Sequence, residues 1–255
     1  MKMSFESLEQ RHQSEKVFHD SKFSKKGKKD YYALGVNGII YNKMIEKIGD
    51  LTGKKAVDFG CGNGWQTKLL VDKGAQVWAF DISDEAVKKT KQMSIRHNIE
   101  DRIHVEQMAA ESLKYKDNEF DIVLGNAILH HLDIDIASKE IHRVLKPGGK
   151  AYFLEPLGYN PLINLFRKLT PNMRTKDEEP LRLEHFDIIQ ERFAGFEHEE
   201  YYLTVLVAFF WYFIFRQDNL FMKSVHFMNR LDRVLLRAAP CLKKYCWYSI
   251  LIMEK

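Results

Sequence analysis

The chain has 255 residues, 45% of them apolar and 29% charged, which is enough to bury a full core and too apolar for a disordered chain. A formal net charge of +4 is too small to argue for nucleic acid, and no nucleic-acid partner is expected. The three cysteines, Cys61, Cys241 and Cys246, lack metal-ligand spacing, and an odd, sparse set points to a reducing compartment.

Residues 1–38 are polar and rich in lysine, with "SKFSKKGKKDYY" at 21–32. The start lacks the apolar core of a secretion signal, so a cytoplasmic location is expected. One reading of this segment is a solvated helix and loop; another is a cover over a ligand site. Its lysines could also touch anionic lipid, at ~1 kcal/mol for each basic side chain near such a surface.

Residues 56–64, Ala-Val-Asp-Phe-Gly-Cys-Gly-Asn-Gly, form a short apolar run that reaches an acid and breaks into alternating glycines. Helical spacing resumes at Trp65. The pattern predicts a buried strand turning sharply into a helix, the place where open α/β sheets bind nucleotide-like ligands. A second run, Gln76–Phe80, ends at Asp81, 21 residues after Gly60 (81 − 60 = 21). A carboxylate at that strand tip can accept both hydroxyls of a ribose. A dinucleotide fingerprint needs Gly-x-Gly-x-x-Gly and a helix start open to a pyrophosphate. Here the spacing is Gly-x-Gly-x-Gly, and Asp58 would repel a pyrophosphate while suiting a cationic amino group. An amino-acid nucleoside fits better.

Further along, Ser83 is a good N-cap for a helix over 84–97 with Asp84 and Glu85 in its first turn. "AAESLKY" at 109–115 follows a third strand, and "FDIVLGNAILHHL" at 120–132 is a fourth strand and its loop. "EIHRVLKPGGKAYFLEP" at 140–156 reads as a helix ended by a proline stop and glycine cap, then a fifth strand. Such alternation predicts a parallel sheet covered on both faces.

In this order and spacing the chain resembles the class I S-adenosylmethionine-dependent methyltransferases, closely over about residues 40–156 and in outline beyond. The resemblance implies a Rossmann-like, seven-stranded, mostly parallel α/β sheet with an antiparallel last strand. It implies S-adenosyl-L-methionine as cofactor, with Gly60, Cys61, Gly62 and Gly64 cradling the methionine part and ribose and Asp58 near the amino group. Asp81 would take the ribose hydroxyls and Ile82 would pack on the adenine. Ala109 and Ala110 would stand at the adenine edge, where relatives often carry an acid, so the backbone of Ala110 or Glu111 must serve instead. Asn126 would contact the methionine moiety, and Tyr31 or Tyr32 would close over the cofactor. Residues 1–38 would then be an N-terminal cover and 39–255 the methyltransferase domain.

Two stretches exceed that plan. Residues 156–196 are longer than a connection requires and read as a substrate lid. A sixth strand is expected at 199–207 and a seventh at 246–254, with an aromatic helical insert at 208–245 between them. The apolar run Leu203–Phe215 has 13 residues, short of the ~20 a spanning helix needs. The insert can contribute core, line a pocket for a bulky apolar acceptor, or meet a membrane surface or a second subunit, as in a homodimer.

Methyl transfer from a sulfonium is mainly a matter of positioning, and a hydroxyl acceptor adds the need for a base. His131, His130, Glu155 and His185 are the candidates, His131 first. Glu155 could instead pair with Arg174 or Arg182. Asp133 and Asp135 suggest a metal, but their position fits capping of a helix from 134, and no obligatory metal is expected. The leading expectation is methylation of a small, hydrophobic or lipid-like molecule at oxygen, nitrogen or carbon. The alternatives are an RNA or protein methyltransferase, for which "GNAILHHL" lacks an Asn/Asp-Pro-Pro-Tyr motif, and an inactive cofactor-binding interaction subunit.

Overall fold

In the computed structural model of the chain the described residues are 5–24, 36–173, 175, 178–208, 212 and 217–255. Apolar runs become strands and amphipathic stretches become helices in the order α1 (Phe5–Ser24), α2 (Val36–Ile48), β1 (Lys55–Phe59), α3 (Trp65–Asp72), β2 (Gln76–Asp81), α4 (Asp84–His97), β3 (Ile103–Gln107) and β4 (Phe120–Asn126). There follow α5 (Ile134–Val144), β5 (Leu145–Pro156), α6 (Pro161–Leu169), α7 (Leu183–Gln190), β6 (Gly195–Tyr201), α8 (Asp218–Ala238) and β7 (Tyr248–Glu254).

The strands form one seven-stranded sheet in the order β3-β2-β1-β4-β5-β7-β6. β1 to β5 run parallel, while β7 is antiparallel to both β5 and β6. The expected fold class is the observed one. Registers Phe59↔Phe80, Phe59↔Gly125 and Asn126↔Leu154 bring the carboxyl ends of β1, β2, β4 and β5 to one edge. The strand order reverses between β1 and β4, the point where such sheets bind ligands.

Alternation along the strands splits the core into two layers. Ala56, Leu124, Tyr152 and Leu154 face α2 and α3, and Val57, Phe59, Val123 and Phe153 face the other side with Phe186 and Ile189 of α7. Ser83 caps α4 by accepting from Ala86 N at 3.1 Å, and Asp133 caps α5 by accepting from Ile136 N at 3.1 Å, as their positions imply. Asp135 is held by Lys139 and Arg192 at 2.6 and 2.8 Å.

Several expected boundaries shift. α5 stops where Leu145 turns extended, and β5 begins there rather than after the glycines. Gly148, at φ +73°, serves the irregularity between the pairs Phe120↔Leu145 and Ile122↔Lys150 rather than a helix cap. β6 occupies 195–201 instead of 199–207, because Tyr202 takes φ +68° and breaks the extended run. β7 starts two residues later than expected. Beyond β6, Asp232 of α8 accepts from Leu203 N and Thr204 N at 2.9 and 3.0 Å, tying the insert to the sheet. Phe221 and Val225 of α8 enter the core, whereas Phe227 and Val234 are each 64% exposed.

Candidate active site

The β1–α3 turn is shaped by contacts that a side chain would obstruct. Gly60 has φ +83°, and a Cβ there would stand 2.2 Å from Ile128 Cδ1. Gly64, the residue before α3, has φ +84°, and a Cβ would stand 3.0 Å from Thr90 Cα of α4. Only glycine takes such angles without strain. The turn therefore packs against both α4 and the loop after β4. At its centre Gly62 N donates to Asp81 Oδ2 at 3.0 Å, while Ser83 N donates to Oδ1 at 2.9 Å. An ionised carboxylate offers about four lone-pair sites, so neither oxygen is saturated by its one hydrogen bond. Burial raises the Asp81 pKa above the ordinary carboxylate value, and the hydrogen bonds from Ser83 and Gly62 oppose the rise.

Asp58 sits differently from its expected place near a ligand amino group. It shares the sheet face of Ala56, so its side chain points under α3. There Gln66 Nε2 donates to Oδ1 at 2.6 Å and Thr67 Oγ1 to Oδ2 at 2.5 Å. Gln66 also donates to Leu124 O at 3.0 Å and accepts from Tyr41 at 3.0 Å. Fully buried, Asp58 has its pKa pushed up to about 7 by desolvation. It anchors the turn rather than lining the crevice. Cys61 is likewise packed inward, with Thr90 Oγ1 3.4 Å from its sulfur, and burial drives its thiol pKa well up.

The remaining cofactor candidates are spread along the same edge. Ile82 is half-buried between Asp81 and the α4 cap, and its carbonyl accepts from Gln107 Nε2 at 3.1 Å. Ala109 and Ala110 follow β3; Ala110 is buried and Ala109 is half-buried. Glu111 is committed elsewhere: Oε2 pairs with His12 Nε2 at 3.0 Å and Oε1 accepts from Asp133 N at 3.3 Å. Asn126 ends β4, half-buried. Tyr31 and Tyr32 lie outside the described residues.

Beside the glycine turn is a buried acid–imidazole pair. Glu155, fully buried at the end of β5, accepts from Ile128 N and Leu129 N at 2.8 Å each. Its other oxygen is 2.7 Å from His130 Nδ1. Glu155 is thus bound within the cleft, not to the lid arginines: Arg182 lies 3.7 Å from Glu179, and Arg174 lies outside the described residues. Burial pushes Glu155 up to about 7 and His130 down to about 4. His131 turns the other way, its Nδ1 3.2 Å from Glu15 Oε2. His185 is spent at the start of α7, where its Nδ1 accepts from Arg182 N at 3.2 Å.

α1 covers this edge. His12 pairs with Glu111, and Lys16 Nζ lies 2.6 Å from Asp84. Asp20 accepts from Ser83 Oγ at 2.6 Å, and the Phe23 ring comes within 3.4 Å of where a Gly62 Cβ would be. Glu15, His19 and Asp20 escaped the sequence reading. They recur at helical spacing, but nothing in their own segment marks the loop they face.

Comparison with known proteins finds similarity to methyltransferases. Residues 57–153 match the family model of a methyltransferase domain. The match supports a class I S-adenosylmethionine-dependent methyltransferase reading of these residues. The ubiquinone biosynthesis O-methyltransferase of Pseudomonas aeruginosa is 35% identical over 136 residues, 51% of this chain and 56% of that protein. The ubiquinone/menaquinone biosynthesis C-methyltransferase of Shewanella sediminis is 33% identical over 144 residues, 54% of this chain and 57% of that protein. The chain thus matches little more than half the length of these curated relatives. Among solved structures, geranyl diphosphate C-methyltransferase from Streptomyces coelicolor, in complex with Mg2+, geranyl diphosphate and S-adenosyl-L-homocysteine, superposes with TM-score 0.62 at 12% identity over 86% of this chain and 79% of that chain. Haemonchus contortus phosphoethanolamine N-methyltransferase 2 gives TM-score 0.61 at 18% identity, covering 84% of this chain and 52% of that chain. At such identities the likeness shows the fold of the methyltransferase domain and no more.

Proposed function

We propose that the chain binds S-adenosyl-L-methionine and methylates a hydroxyl group of a small, hydrophobic acceptor. The reading is carried by the His130–Glu155 pair, a buried imidazole and carboxylate 2.7 Å apart beside the glycine turn. Gly60, Gly62, Gly64 and Asp81 would hold the methionine and ribose parts, with Ile82 against the adenine and Asn126 near the methionine moiety. When bound, the cofactor supplies a methyl group already activated by its sulfonium.

His130, rather than His131, is proposed as the base. Glu155 accepts the Nδ1 proton, which leaves the lone pair on Nε2 to take a proton from the acceptor. The positive charge then appearing on the ring is offset by the carboxylate, as in other acid-oriented imidazoles. The acceptor oxygen loses its proton to Nε2 as it forms the new bond to carbon. α1 covers the crevice and limits entry of water. The naming of relatives for quinone O- and C-methylation supports an acceptor with an acidic ring hydroxyl. α6 and α8 expose Leu162, Leu165, Phe166, Phe227 and Val234, which fits acceptor capture from a lipid surface. Among the described residues no helix is long and apolar enough to cross a membrane.

The test is incubation with radiolabelled S-adenosylmethionine and a panel of prenylated and unprenylated phenols, with mass spectrometry for products heavier by one methylene. Label appearing only in amines or protein would overturn the hydroxyl reading.

A further inference from the structure

α1, which packs over the glycine turn, carries Glu15 and His19 four residues apart, so both side chains occupy one helix face. That face meets His131. Glu15 Oε2 lies 3.2 Å from His19 Nε2 and 3.2 Å from His131 Nδ1, and all three ligand-type atoms fall within 4.8 Å of one another. Metal–ligand bonds of about 2.1 Å set neighbouring donor atoms about 3.0–3.4 Å apart in octahedral or tetrahedral sites. A carboxylate with two imidazoles is a donor set of first-row divalent metals.

Two details separate this trio from an ordinary ion-pair cluster. Glu15 is only 5% exposed, yet its Oε2 and His131 Nδ1 make no hydrogen bond. They are close without being aligned as donor and acceptor. The other carboxylate oxygen is fixed, because Oε1 accepts from Thr175 Oγ1 at 2.5 Å; metal-ligating carboxylates are oriented in this way. In a neighbouring trio of His130, His131 and Glu178, Glu178 Oε1 already accepts from Arg167 at 2.7 Å, and the free His130 Nε2 is the proposed base.

We propose that Glu15, His19 and His131 bind one first-row divalent transition-metal ion, closing α1 onto the loop after β4. An open coordination position would take the acceptor's hydroxyl oxygen and make it more acidic; that role rests on the methyl-transfer reading, whereas binding does not.

The full-length protein, stripped of metal by chelator dialysis, is titrated with CoCl2 and followed by visible absorption, with calorimetry of S-adenosylhomocysteine as a check that the crevice is folded. One equivalent of Co2+ should give d–d bands. Glu15→Gln, which keeps the side-chain shape, and His19→Ala should each weaken binding at least tenfold, and the exposed His226→Ala should not. No Co2+ bands in the wild-type protein, or equal binding in Glu15→Gln and His19→Ala, overturns the site. Bands lost in the variants with methyl transfer intact would sink only the acceptor role, and bands present with no methyl acceptor found would sink only the methyl-transfer reading.

Discussion

His130 Nδ1 lies 2.7 Å from Glu155 Oε2, joining the loop after β4 to the end of β5 across adjacent strands. The same carboxylate holds Ile128 N and Leu129 N, so one buried acid shapes the loop and orients the ring. Glu155→Gln should therefore lower kcat by about 10²-fold or more, the scale of general-base catalysis. S-adenosylhomocysteine affinity by calorimetry should stay within a few-fold. Equal turnover in the variant would place the base elsewhere.

The pair also sets a pH dependence. With Glu155 pushed up to about 7 and His130 down to about 4, the imidazole is neutral across the neutral range while the acid is still losing its proton. Only the ionised acid keeps the ring proton on Nδ1, and the two groups titrate as a unit. Activity should rise with pH through about 7, and a pH–rate profile of Glu155→Gln should lose that limb.

Asp81 offers a binding test. Asp81→Ala removes the acceptor for Gly62 N and Ser83 N together with the proposed ribose contact. Cofactor affinity should fall by about ten- to a hundred-fold, since a charge-assisted hydrogen bond contributes about 1.5–3 kcal/mol. Calorimetry with S-adenosylhomocysteine reads this directly, and an unchanged Kd would remove Asp81 from the site.

Gly64→Ala should act on stability. Its φ of +84° and the 3.0 Å approach to Thr90 Cα mean that the new methyl meets backbone. A cost of about 1–3 kcal/mol is expected, read as a lower urea midpoint with unchanged m-value. Full stability in the variant would show that α4 can move aside.

The exposed apolar residues of α8 give a test of lipid contact. Phe227→Glu with Val234→Glu should reduce flotation with anionic vesicles while leaving S-adenosylhomocysteine affinity unchanged. Vesicle binding unaffected by both changes would argue against this face as the contact.

The periodic parts of the molecule were legible in the residues themselves. Apolar runs of strand length, Gly60, Gly62 and Gly64 at alternating positions, and Asp81 at the next strand tip each record a local requirement of backbone or solvation. The seven-stranded sheet and the β1–α3 turn could be read from them. What the side chains meet was settled by packing. The pleat carries Asp58 under α3 to Gln66 and Thr67, away from the crevice where its place in the motif suggested it would be. Glu155 is satisfied by the loop after β4 because the register Asn126↔Leu154 brings that loop to it. Glu15 and His19 acquire significance only when α1 folds back against His131, 112 residues away from His19 (131 − 19 = 112). Helical periodicity records which residues share a face, but only the tertiary fold decides what that face touches.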